Sequence, residues 1–320
     1  MKNYLSLVKF SHTVFALPFA MIGFTLGWYS FLDFGLPLGT NLPDFVSLNY
    51  KFTTNSNNVP SLFKEHPLIF IALLKLFLVL ICMVTARNAA MAFNRYIDRK
   101  YDEKNPRTAI REIPAGIITA KNALVFIFVN CAIFIITTYF INQLCFFLSP
   151  IALAVILGYS LTKRFTFLCH VILGVGLGLA PIGAFLAVTG KFAILPLFFS
   201  FAVLFWVSGF DVIYALQDEQ FDKENNLYSI PSYFGQNKAK WISRFLHLCS
   251  FACLLAAGFY GNFSFMYWLG FAVFSALLIF QHSLVIRFGL QKIDLAFFTT
   301  NGIASILFGL CVITDIIMHF

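Results

Sequence analysis

The sequence predicts an all-α, polytopic membrane protein, and three observations carry that reading. Of 320 residues, 60% are apolar and 11% charged, against roughly 25% charged in an average soluble domain. Apolar runs of about 20 residues recur along the chain, the length needed to cross a bilayer. Between them, Lys and Arg collect on one side.

Nine transmembrane helices are predicted, over roughly 10–31, 67–97, 121–140, 143–161, 166–189, 192–217, 239–260, 263–288 and 294–319. No pattern of basic start, short apolar core and A-x-A site precedes the first span, which is therefore expected to be retained. Residues 32–66 are rich in turn formers and Asn, Ser and Thr, and are expected to form an outer loop. The whole chain, 1–320, is expected to be a single transmembrane domain. Polar joints follow the second, fourth, sixth and eighth spans. With the N-terminus in the cytoplasm all four are cytoplasmic. Of 22 Lys and Arg, only Lys51, Lys64 and Lys191 then fall outside, and Lys75 and Arg87 lie within the second span. That is the asymmetry of the positive-inside rule. It also assigns the net charge of +8 to topology and to an acidic ligand, so no nucleic acid is expected. Each of the seven cysteines lies within an apolar segment, none in a C-x-x-C pair, and they read as packing residues.

Two acidic rows interrupt this pattern. NRYIDRKYDEKNPRT begins at Asn94, and its Asn94, Asp98 and Asp102 are spaced i, i+4, i+8, one face of a helix. GFDVIYALQDEQFDKENN closes the sixth span, with Asp211, Asp218 and Asp222 at i, i+7, i+11, again close to one face. Acids at membrane depth are costly and usually face a cavity or a partner. Taken singly, either row is what an interfacial anchor looks like. Two oxygen-only rows on one side suit Mg²⁺ shared with substrate phosphate oxygens. NPRTAIREIPAG adds Arg107 and Arg111 in a loop shaped by Pro106 and Pro114. An arginine fork is a natural phosphate partner. GYSLTKRFT adds Tyr159 and Lys163 at i, i+4, with Arg164 beside them, although topology alone also supplies bases here.

These stretches resemble the signatures of the UbiA superfamily of intramembrane prenyltransferases. NRYIDRKYD is similar to its first motif, N-x-x-x-D-x-x-x-D, and DVIYALQDEQFD to its second. GYSLTKR is similar to the Y-x-x-x-K element between them. The resemblance covers about residues 5–319 and implies helices around a central cavity that opens to the cytoplasmic side and to the bilayer. It implies Mg²⁺ held by Asn94, Asp98, Asp102, Asp218 and Asp222, with the diphosphate of a polyprenyl diphosphate. Arg107, Arg111, Lys163 and Arg164 would stabilise the leaving diphosphate. Asp211 would orient the acceptor or steady the allylic cation, with Tyr214 helping. Asn94, Arg95 and Tyr159 are further substrate-side candidates. KFSHTVFALPF and the first motif look like a bacterial subgroup commonly labelled 4-hydroxybenzoate polyprenyltransferase, several members of which are linked to the futalosine route to menaquinone. His12 is therefore a candidate acceptor contact, or an interfacial histidine. The acceptor implied is a small aromatic, 4-hydroxybenzoate or a naphthoate-type quinone precursor, and the setting a bacterial cytoplasmic membrane.

Other classes fit less well. A transporter is disfavoured because the acids cluster on one side and no matching pair of broken helices appears. Nine apolar spans exclude a soluble prenyl-chain synthase. The aspartate signature of CDP-alcohol phosphotransferases is absent. Haem- and chlorophyll-type members of the superfamily remain open.

Overall fold

The structure, a computed structural model, describes residues 2–8, 16–33, 67–293, 295 and 299–319. Its regular structure there is entirely helical. A short α1 (Lys2–Leu7) precedes α2 (Leu17–Asp33), α3 (Pro67–Lys104), α4 (Ala120–Ile141), α5 (Gln143–Thr162), α6 (Cys169–Thr189) and α7 (Ile194–Ala215). Two short helices, α8 (Glu219–Glu224) and α9 (Ile230–Phe234), lead into α10 (Gln236–Tyr260), α11 (Phe265–Phe288) and α12 (Thr300–His319). Eight of these are long and apolar enough to cross a membrane, and the apolar stretch Leu17–Leu32 of α2 is a shorter ninth. The predicted outer loop lies, from residue 34, outside the described residues, as does His12.

Two boundaries differ from expectation in ways that matter. The second span was expected to end near 97, but α3 continues to Lys104. No Gly or Pro interrupts it before Pro106, so the helix carries the whole first acidic row into the polar layer. The second acidic row is not on one continuous helix. A 3₁₀ turn at Leu216–Asp218 follows α7, and Asp222 belongs to α8. The tighter turn resets the phase, so the single face expected for Asp211, Asp218 and Asp222 is broken between them.

A core of large apolar side chains, with Phe19, Phe199, Trp206, Tyr267, Phe274 and Phe308 almost fully buried, ties α2, α6, α7, α10, α11 and α12 together. On the other side α3, α4, α5 and α6 enclose a cavity of about 430 Å³. Its α3 wall is the row Val79, Cys82, Met83, Ala86, Arg87, Ala90 and Met91, at i, i+3, i+4 spacing. At a rise of 1.5 Å per residue that wall runs roughly 18 Å, ending one turn short of Asn94.

Two polar groups at depth find their partners inside the bundle, as hydrocarbon favours. Lys75 Nζ donates to the carbonyls of Ala187 (2.7 Å) and Val188 (3.2 Å), closing the end of α6 with Asn142. Asp315 is fully buried and accepts from the backbone N–H of Ser264 (2.8 Å) and Tyr267 (3.2 Å), capping α11. It is a structural cap rather than part of an ion path. All seven cysteines are free.

Candidate active site

The fold brings the end of α3, the α3–α4 loop, the α5–α6 turn and the α7–α8 segment together. Along α3, Asn94 Nδ2 donates to Asp98 Oδ2 at 3.2 Å, as i, i+4 neighbours on a helix can. Arg111 Nη1 reaches Asp102 Oδ1 at 2.7 Å, while Asp102 Oδ2 is buried with no hydrogen-bond partner. Arg164 Nη2 stands 3.6 Å from Asp98 Oδ1 and donates to the Ile97 carbonyl at 2.9 Å.

The second row is met in the same way. Arg107 forks onto Asp218, Nε to Oδ1 at 3.2 Å and Nη2 to Oδ2 at 2.5 Å. Its Nη1 donates to the Tyr214 hydroxyl at 3.2 Å, with the guanidinium 5.6 Å from that ring. Burial alone would lower the Arg107 pKa, but the hydrogen bond and charge of Asp218 hold it above its ordinary value. Lys163 Nζ lies 2.7 Å from Asp222 Oδ1, a charge contact without hydrogen-bond alignment, and Asp222 Oδ2 is buried without a donor. Each of the four motif carboxylates thus faces its own base.

Local chemistry explains why the loop bases arrive here. Asn105 turns the chain after α3: its Oδ1 accepts from Arg107 N at 3.0 Å and its Nδ2 reaches Asp218 Oδ1 at 3.4 Å. Thr108 Oγ1 ties the loop back to the Asp102 carbonyl at 3.1 Å. Arg95 is buried and pairs with Glu112 at 3.4 Å, and Glu112 also receives Ser6 Oγ. Arg95 is thus engaged in holding the loop to α3. The Lys163 carbonyl accepts from Tyr228 N at 2.7 Å, which docks the segment after α8 onto the α5–α6 turn.

Tyr159 lines the cavity one turn before Lys163, within electrostatic reach of Asp211, Asp98 and Arg87. It marks the junction between the charged inner face and the apolar cavity. Asp211, two turns deeper than Asp218, accepts from His170 Nδ1 at 2.7 Å. Among residues the sequence reading passed over, Asn105 was signalled only by its place before Pro106. Arg87 stood out as a charge within a span, whereas His170 sits in an apolar run with nothing to single it out.

Among the described residues, no three His, Cys, Asp or Glu side chains converge as a ready-made metal site. The donor set nevertheless fits a hard cation: Asp102 Oδ2 and Asp222 Oδ2 are buried acceptors lacking a donor.

Residues 66–303 match the UbiA prenyltransferase family. The chain belongs to that family. The UbiA relatives include a 4-hydroxybenzoate octaprenyltransferase of Tolumonas auensis, 30% identical over 222 residues, covering 69% of this chain and 77% of the relative. Another, of the same name, from Francisella tularensis subsp. tularensis, is 28% identical over 238 residues, covering 74% and 82%. Among solved structures, the apo UbiA homolog of Aeropyrum pernix K1 matches with a TM-score of 0.74 and 25% identity, over 95% of this chain and 98% of that one. A UbiA homolog of Archaeoglobus fulgidus, bound to DMAPP and Mg²⁺, shares the fold at a TM-score of 0.65 and 19% identity, over 99% and 100%. The protein is a UbiA-type multi-pass membrane prenyltransferase.

Proposed function

We propose that the protein transfers a polyprenyl chain from a polyprenyl diphosphate to a small aromatic acceptor, 4-hydroxybenzoate or a naphthoate-type quinone precursor, releasing diphosphate. The observation that carries this reading is the one-to-one facing of Asp98, Asp102, Asp218 and Asp222 with Arg164, Arg111, Arg107 and Lys163, directly above an apolar cavity. Equal numbers of acids and bases suit a ligand that itself carries both signs, a divalent cation with a diphosphate. The names of the curated relatives support a hydroxybenzoate acceptor, and the Archaeoglobus fulgidus homolog supports the metal.

Asn94, Asp98, Asp102, Asp218 and Asp222 would hold Mg²⁺. When bound, Mg²⁺ would supply positive charge to neutralise the diphosphate. The bases released from those carboxylates then face the diphosphate. As the carbon–oxygen bond breaks, its electron pair leaves on the diphosphate, where Arg107, Arg111, Lys163 and Arg164 stabilise the growing charge. The ring carbon of the acceptor supplies the pair for the new carbon–carbon bond, and the ring then loses that carbon's proton. The apolar cavity beside α3 receives the prenyl chain. Arg87, on the cavity wall, would pair with the carboxylate of a benzoate or naphthoate. Asp211 would accept from the acceptor's hydroxyl.

The distribution of Lys and Arg supports an orientation with the N-terminus and the motif loops inside, and the bacterial relatives support a bacterial cytoplasmic membrane. The direct test is to incubate purified protein with Mg²⁺, a polyprenyl diphosphate and each acceptor, and to weigh the product. A mass increased by one polyprenyl chain on a benzoate or naphthoate is expected. Diphosphate release with no prenylated aromatic would overturn the acceptor class.

A further inference from the structure

Asp211 is held differently from the four motif carboxylates. Its partner is His170, the second residue of α6, whose Nδ1 lies 2.7 Å from Asp211 Oδ2. The side chain of His170 is 4% exposed and that of Asp211 23%. A carboxylate oxygen accepts, so His170 Nδ1–H donates, leaving Nε2 buried without a partner. With Oδ2 engaged by His170 and the side chain partly exposed, Oδ1 is the oxygen left for a ligand.

The contact is built by helix packing. Alpha6 and α7 cross at backbone distance: a Cβ on Gly178 would stand 2.8 Å from the Ser200 carbonyl, and one on Gly174 would collide with Ser208 Oγ. Small residues permit such close approach within a membrane. One turn before Gly174 is His170, and one turn beyond Ser208 is Asp211, so the same antiparallel register sets the pair. An imidazole with one unpartnered nitrogen is a costly way to join two helices that already pack through glycine. The directed hydrogen bond is what it adds.

We propose that His170 is a positioning residue for the aromatic acceptor. It fixes the Asp211 carboxylate so that Oδ1 accepts the hydrogen bond from the acceptor's hydroxyl. Asp211 touches the acceptor; His170 acts through Asp211. This rests on the aromatic-acceptor reading above. The hydrogen bond raises electron density on the ring at the carbon that is prenylated, and it holds that carbon toward the allylic end of the donor.

The test uses His170→Leu, which keeps an apolar side chain in place but has no donor, and His170→Gln, whose amide N–H₂ can donate to Asp211. Steady-state kinetics are measured against 4-hydroxybenzoate and against the prenyl diphosphate separately. His170→Leu is expected to lose roughly ten- to a hundredfold in kcat/KM for the acceptor, the worth of one charge-assisted hydrogen bond. The KM for the prenyl diphosphate is expected to stay within about twofold of wild type, and His170→Gln to recover most of the loss. In an Asp211→Asn background, His170→Leu is expected to add little, because its effect passes through the carboxylate. Overturning results are a loss that multiplies in that background, a matching rise in KM for the diphosphate, or His170→Gln falling with His170→Leu while both unfold at lower temperature. These would make His170 a structural tie. Failure of the functional reading looks different: wild-type protein itself would prenylate no phenolic acceptor, and the inference would fall with it.

Discussion

Lys163 stands 2.7 Å from Asp222, whose side chain is fully buried. Burial alone would lower the lysine pKa, but Asp222 and then Asp218 hold it above its ordinary value. A raised folded-state pKa contributes stability that is fully present below the unfolded value, about 10.4, and is lost only as pH rises through the folded value. Lys163 is therefore expected to contribute no pH dependence of stability between neutrality and the mildly alkaline range. Removing it is another matter. Lys163→Met leaves a buried carboxylate uncompensated and is expected to cost roughly 1–3 kcal/mol, less than for a fully buried pair because Lys163 is 31% exposed. Thermal unfolding in detergent reads this, and adding Asp222→Asn should restore most of the midpoint. An unmoved midpoint in Lys163→Met would mean the pair adds nothing to folding. The acids at the rim behave in the opposite way. Asp98→Ala and Asp218→Ala are expected to retain wild-type folding yet lose nearly all turnover. Either variant working at the wild-type rate would return that acid to an interfacial anchor.

At the scale of elements, helix length and helix crossing position the chemistry. Alpha3 spans the bilayer and continues through the polar layer, so one rigid helix carries both the cavity wall and Asn94, Asp98 and Asp102. The α3–α4 loop is pinned at its start and its middle, by Asn105 to Asp218 and by Glu112 to Arg95. Alpha6 meets α7 through Gly174 and Gly178, and this crossing sets the register of Asp211 against His170. Gly178→Val is therefore expected to separate the two helices, because the obstructing atom is a backbone carbonyl that cannot rotate away. Both the unfolding midpoint and kcat should fall, kcat by at least about tenfold, since a displacement near 1 Å is enough to lose that much. A variant that unfolds earlier but keeps full turnover would show that the register tolerates the shift.

For the whole molecule, the paired charges couple two ligands. Mg²⁺ alone would draw carboxylates away from four bases and leave these facing one another; diphosphate alone would do the reverse. Bound together, the two satisfy both sets. Affinity for each is therefore expected to rise in the presence of the other, by a factor of roughly 5–150 for a coupling of ordinary size. Calorimetric titration of Mg²⁺ and of inorganic diphosphate, each with and without the other, measures it directly after correction for their association in solution. Independent binding would mean the ion pairs do not oppose ligand access. Chelation with EDTA is expected to abolish turnover, and added Mg²⁺ to restore it.

Much of this was legible in the amino-acid sequence, and the reason is local. Span lengths and membrane class follow from apolar runs, and the i, i+4, i+8 spacing of Asn94, Asp98 and Asp102 follows from helical geometry, because each depends on neighbours within a few residues. The family signature is legible for the same cause: each motif lies within one short stretch. The second acidic row was read less well. The 3₁₀ turn at Leu216–Asp218 changed the phase, and no Gly or Pro announced it. Which base meets which acid was beyond reach, since Arg107 and Asp218 are 111 residues apart and only the docking of the α3–α4 loop onto the α7–α8 segment brings them to 2.5 Å. His170 is the clearest case. By sequence it is one polar residue in an apolar span, and only the glycine-lined crossing of α6 and α7 places it against Asp211. The sequence alone determined the membrane spans and the residues of two charged rows; tertiary structure decided every partner, because hydrophobic periodicity encodes a helix's faces but not the neighbour each face will meet.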